Sequence, residues 1–115
     1  MKTIDIKDGI SVAELKEMAK IMFGNLVKAV VDIEKEMMVI DGELHADEEA
    51  LLLENGSEQK DLWGINIYPE VSKTDWIEFD SMINIRPALG NNSRSVDDSK
   101  TREKILAVVN KLLKE

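Results

Sequence analysis

The sequence predicts an α+β domain over residues 1–115: an antiparallel sheet with the two terminal helices packed on one face, a two-layer sandwich in the order α-β-β-α-β-β-α. Three observations carry that prediction. Apolar residues recur at helical spacing after Ser11 and again near the C-terminus. Residues 62–68 and 75–87 instead alternate with period two, the pattern of half-buried strands. Two amphipathic helices with one apolar stripe each can then cover one face of a sheet.

Ser11-Val-Ala-Glu14 is a capping box, flanked by Ile10 and Leu15 as a hydrophobic staple. The helix it starts places Leu15, Met18, Ala19, Met22 and Phe23 on one face, and Gly24 offers a left-handed stop. In residues 27–33 the odd positions are apolar, with Val30 the exception; Glu34-Lys-Glu36 interrupts, and an apolar run resumes at Met37. Residues 26–40 therefore read as a hairpin, with one continuous helix as the alternative that propensity leaves open. Asp47 is a candidate N-cap for a short helix ending before Gly56. A hairpin at Asn55-Gly56 is the rival, but it would pair Leu52 with Gln59 and Leu51 with Lys60.

The next strand turns Trp63, Ile65 and Ile67 to one face and Asn66 and Tyr68 to the other, and Pro69 closes it. The last strand turns Ile77, Phe79, Ile83 and Ile85 inward and Trp76, Glu78, Asp80, Met82, Asn84 and Arg86 outward. On this reading Phe79 and Ile83 matter far more to stability than Glu78 and Asn84. A polar loop over residues 88–97 leads to a helix beginning between Asp97 and Ser99, with Ile105, Val108, Val109 and Leu112 as its stripe.

Composition narrows function. A formal charge of -8 and a pI near 4.7 repel phosphate backbones, so no nucleic-acid partner and no membrane partner is expected. The absence of cysteine removes thiol catalysis and thiolate metal sites. The first residues lack the apolar run of a secretory signal, and no stretch reaches the ~18 apolar residues of a membrane span, so a cytoplasmic location is expected. No dinucleotide fingerprint or nucleophile elbow occurs, and no cofactor is expected.

Three blocks, Gly42-Glu-Leu-His-Ala-Asp47, Asp61-Leu-Trp-Gly-Ile-Asn-Ile-Tyr-Pro69 and Trp76-Ile-Glu-Phe-Asp-Ser-Met-Ile-Asn-Ile-Arg-Pro87, carry a resemblance. Over nearly its whole length the chain resembles a family of small uncharacterised prokaryotic proteins, domain of unknown function 5674. The resemblance implies no activity.

Two sets of candidate residues remain. His45 with Asp47, Glu78 or Asp80 could chelate a divalent ion or serve as a base with an orienting acid, as in a small hydrolase. The simpler reading of Asp47 is a helix cap. Tyr68, Trp76, Glu78, Asn84 and Arg86 on the outer sheet face, with Arg94 in the following loop, could contact a small molecule or a protein, or form a homodimer contact. Arg86 leads this set, because its guanidinium fork suits a carboxylate or phosphate. Its bland reading is a cross-strand ion pair. The leading expectation is a binding or interaction domain; the hydrolase is the alternative.

Overall fold

The computed structural model describes residues 1–114. Strands β1 (Lys2–Ile4), β3 (Val27–Asp32), β4 (Met37–Ile40), β5 (Leu62–Ile67) and β6 (Ile77–Glu78) form one antiparallel sheet in the order β1-β4-β3-β5-β6. Strands β2 (Ile10–Ser11) and β7 (Leu113–Lys114) make a separate short parallel pair. Helices α1 (Val12–Met22) and α3 (Ser99–Leu112) pack on one face of the large sheet, and α2 (His45–Glu54) lies over part of the other.

The expected capping box forms. The Glu14 N–H donates to Ser11 Oγ at 3.1 Å, and the Ser11 hydroxyl donates to Glu14 Oε1 at 3.2 Å. Helix α1 ends where Gly24, at a positive φ of 91°, donates its N–H to the Ala19 carbonyl at 2.6 Å. Helix α3 is capped by Asp98, which accepts from the Thr101 N–H and hydroxyl at 3.1 and 2.8 Å. Its predicted stripe of Ile105, Val108, Val109 and Leu112 is buried throughout.

Residues 27–40 form the hairpin, and Asp32 shows why a helix loses. Its buried carboxylate accepts from the N–H groups of Glu34 and Lys35, both at 2.9 Å, and from the Ser57 hydroxyl at 2.6 Å. These bonds fold the turn back and tie it to the segment after α2. The edge strand β1 escaped the sequence reading. Three residues, of which only Ile4 is buried, carry too little periodicity to detect.

Side-chain alternation divides the core between two faces. Val27, Ala29 and Val31 of β3 join Trp63, Ile65 and Ile67 of β5 under α1 and α3. Val30 and Val39 pack with Leu52 of α2 and Leu62 on the opposite face. Val30, the exception in the sequence pattern, is apolar because α2 covers it.

The predicted strand over residues 75–86 is corrected. Pairing to β5 stops after Glu78. Ser81 then accepts the Ile83 N–H on its own hydroxyl at 3.3 Å, starting a single 3-10 turn over Met82–Asn84. Short polar side chains that satisfy nearby backbone groups compete with a sheet ladder, and here they win. In consequence Phe79 packs on the helix-side core while Ile83 packs on the α2 side. Trp76 lies outside the ladder, so the alternation does not govern it; it is 3% exposed and belongs to the helix-side core, not the outer face. Among the described residues no helix is long and apolar enough to cross a membrane.

Candidate ligand cleft

The half of the outer face left open by α2 carries a polar row one residue deep. Antiparallel register sets Lys28 of β3 opposite Asn66 of β5, and Asn66 opposite Glu78 of β6. Glu78 Oε1 accepts from Asn66 Nδ2 at 2.8 Å and from the Tyr68 hydroxyl at 3.0 Å. Burial, with the Glu78 carboxylate as a second cause, raises the Tyr68 pKa above its ordinary 10.0, so Tyr68 donates and does not ionise.

Beside this row, a cleft of about 180 Å³ opens between the start of α2 and residues 81–83, lined by Lys28, Leu44, His45, Ala46, Ser81, Met82, Ile83 and Arg94. His45 anchors it. Its Nε2 lies 2.8 Å from the Ile65 carbonyl, which can only accept, so the ring proton sits on Nε2 and the lone pair on Nδ1. Burial holds this imidazole below the ordinary 6.5, against the opposing bond to Ile65; Lys28 and Arg94 also lower it, and Asp80 raises it. His45 is therefore neutral at physiological pH.

Helix α2 begins two residues before the expected cap at Asp47. Leu44 occupies the N-cap position and supplies no side-chain hydrogen bond. The N–H groups of Asp47 and Glu48 reach back to the Leu44 carbonyl, while those of His45 and Ala46 meet no acceptor among the described residues. Both lie at the cleft. Lys28, half-buried in the cleft wall, meets no carboxylate within ion-pair distance among the described residues; its ammonium stands 5.0 Å over the Phe23 ring. Arg94, by contrast, is committed to Asp80 through a 2.7 Å Nε bond.

The other sequence candidates serve the fold. Asn84 is fully buried: its Oδ1 accepts the Gly64 N–H at 2.8 Å, and its Nδ2 donates to the carbonyls of Gly64 and Arg94, each at 3.0 Å. Arg86 donates from Nη1 to the Leu62 carbonyl at 2.6 Å and from Nη2 to Glu49 at 2.9 Å, and stacks 5.2 Å over Trp63. Both guanidinium termini are spent within the protein. Asp47 is exposed on α2, two residues and so roughly half a turn from buried His45. Among the described residues no three His, Asp or Glu side chains assemble into a metal-holding group.

Two residues escaped the sequence reading. Lys28 sits at a position where the alternation of β3 expects a polar residue, so it gave no sign of a site. Glu48 gave none either, since an acid in a helix's first turn is unremarkable. It is fully buried, its Oε2 accepts the Gly42 N–H at 3.0 Å, and burial pushes its pKa up to about 9. A Cβ at Gly42 would stand 2.7 Å from Glu48 Cγ, so glycine is what admits the carboxyl.

A family model described as protein of unknown function (DUF5674) matches residues 4–112. The chain belongs to the DUF5674 family. No curated protein and no solved structure matches it. On the DUF5674 fold the cleft beside His45 brings the free α2 amides of His45 and Ala46 together with Lys28 of β3.

Proposed function

We propose that this protein is a small binding domain whose ligand sits in the cleft between the start of α2 and residues 81–83. The observation that supports it is Lys28. Its side chain lines the cleft and meets no carboxylate within ion-pair distance among the described residues, so an anionic ligand there would meet a positive charge that no acid neutralises. Two free amide donors and a neutral histidine border the same space. The polar face expected to bind is retained in this reading, but Trp76, Asn84 and Arg86 give way to Lys28 and His45, while Arg94 is kept in the cleft wall and Tyr68 and Glu78 at the side.

The reading places the domain in the cytoplasm, in keeping with an acidic surface that repels anionic bilayers and nucleic acids. It takes a small molecule as partner, with a homodimer contact through the exposed Met82 as a further element. A second reading, general-base catalysis, is favoured by the fixed tautomer of His45 with Asp80 near enough to bias it. Equilibrium dialysis of the purified protein against a small-molecule extract of its host, followed by mass spectrometry of what is retained, tests the binding reading. Enrichment by the wild type and not by Lys28→Met is expected. Equal enrichment by both removes the cleft as the site, and conversion of a retained compound dependent on His45 moves the assignment to the second reading.

A further inference from the structure

Resting on the cleft reading above, the geometry points to a more specific ligand class: we propose that the cleft receives a short 2-hydroxy carboxylate. Its carboxylate meets Lys28 and the free N–H groups of His45 and Ala46, its hydroxyl donates to His45 Nδ1, and its short carbon chain lies against Leu44, Met82 and Ile83.

Charge sets the first constraint. Lys28 is the cation of the cleft without a carboxylate, since Arg94 already bonds Asp80 at 2.7 Å. One uncommitted positive charge with two amide donors suits one oxyanion group, and charge-assisted bonds to such donors are the strong ones. Tautomer sets the second. With Nε2–H given to the Ile65 carbonyl, the remaining polar atom of His45 is an acceptor. A bare oxyanion would be repelled there, whereas a ligand carrying an O–H next to its carboxylate satisfies both kinds of group.

Size and lining set the third. The cleft's 180 Å³ falls below the ~300 Å³ at which pockets for drug-sized ligands begin and holds about six water volumes. A nucleotide or dinucleotide would stand largely outside it. Leu44 and Met82 are 55% and 64% exposed at its mouth, an apolar lining that inorganic phosphate would leave unused. A two-carbon or three-carbon chain uses it.

Isothermal titration calorimetry of the full chain with lactate, propionate, inorganic phosphate and a short apolar peptide with a free C-terminus tests the proposal. Lactate is expected to bind at one site, with propionate and phosphate about tenfold weaker or more, the cost of an unmade buried hydrogen bond. Lys28→Met is expected to weaken lactate by at least about tenfold; Lys28→Gln takes its place if the Met variant does not fold. Equal affinity for propionate and lactate overturns the hydroxy-acid assignment while leaving the cleft as the site, provided Lys28→Met still abolishes binding. Tighter binding of phosphate or of the peptide overturns it in favour of that ligand. No binding of any of the four also overturns it, and the dialysis comparison, which presupposes no ligand, then decides the broader reading on its own.

Discussion

The side-chain amide of Asn84 takes the place of a neighbouring strand for Gly64, accepting its N–H at 2.8 Å and donating to its carbonyl at 3.0 Å. Sheet pairing on this edge of β5 ends at Asn66, so without Asn84 both groups of Gly64 would be buried and unpaired. Gly64 is required by the same arrangement, because a Cβ there would stand 2.6 Å from Ser81 Cβ. One asparagine therefore completes the sheet where the chain leaves it.

Asn84→Ala is expected to cost about 3 kcal/mol, since it orphans both the N–H and the carbonyl of buried Gly64 and removes one of the two bonds to the Arg94 carbonyl, which keeps the Ser81 N–H. Urea unfolding measures the loss, and hydrogen exchange should show the Gly64 amide losing protection first. A cost like that of an exposed polar residue, below about 0.5 kcal/mol, would contradict the role.

Arg86 is expected to matter for stability and not for binding. Its side chain and that of Glu49 are only 9% and 14% exposed, so truncating the arginine leaves a largely buried carboxylate and an unpaired Leu62 carbonyl. Arg86→Ala should destabilise by about 3–5 kcal/mol. A double-mutant cycle with Glu49→Gln should return a favourable coupling, while ligand retention by the folded fraction stays at the wild-type level.

Glu48 gives stability a pH slope of known sign. The unfolded chain releases this proton near 4.5 and the folded chain holds it to about 9, chiefly through burial, with the Gly42 N–H and Lys28 opposing and Asp41 assisting. Between those values the unfolded state binds fewer protons, so stability falls as pH rises, by at most about 1.4 kcal/mol per pH unit. Glu48→Gln keeps an acceptor for Gly42 and should flatten the slope, raising stability at pH 8 far more than at pH 4. Parallel melting curves for the two proteins across that range would contradict the assignment.

His45 works in the opposite direction. Its folded pKa lies below 6.5, so its neutral form is stabilising and that contribution is lost as pH falls below 6.5. Nitrogen NMR of the imidazole should show the Nε2–H tautomer and a midpoint below 6.5. An Nδ1–H tautomer would remove the acceptor assigned to the cleft.

Much of this fold was legible because helix signals are local. Ser11, Glu14, the start of the last helix between Asp97 and Ser99, and the stripe from Ile105 to Leu112 are read correctly from spacing alone. The segment over residues 75–86 misled because its alternation is real in composition but not in the ladder: Ser81 spends its hydroxyl on the Ile83 N–H two residues on, and Asn84 its amide on Gly64, 20 residues back. That reverses the weights given to Asn84 and Ile83. Within the candidate site, His45, Glu78 and Arg94 were visible by residue type, whereas Lys28 acquires its meaning from the register that sets it opposite Asn66. Glu48 depends on Gly42, six residues earlier and across a turn.

The most direct test of the central claim is an amide NMR map recorded while the host small-molecule extract is added to the full chain. The account predicts saturable shifts concentrated at Lys28, residues 44–46, residues 81–83 and Arg94, and their disappearance in Lys28→Met. Shifts centred elsewhere, as on the exposed Ile21 and Met22 of α1, or a spectrum unchanged at every addition, would contradict it.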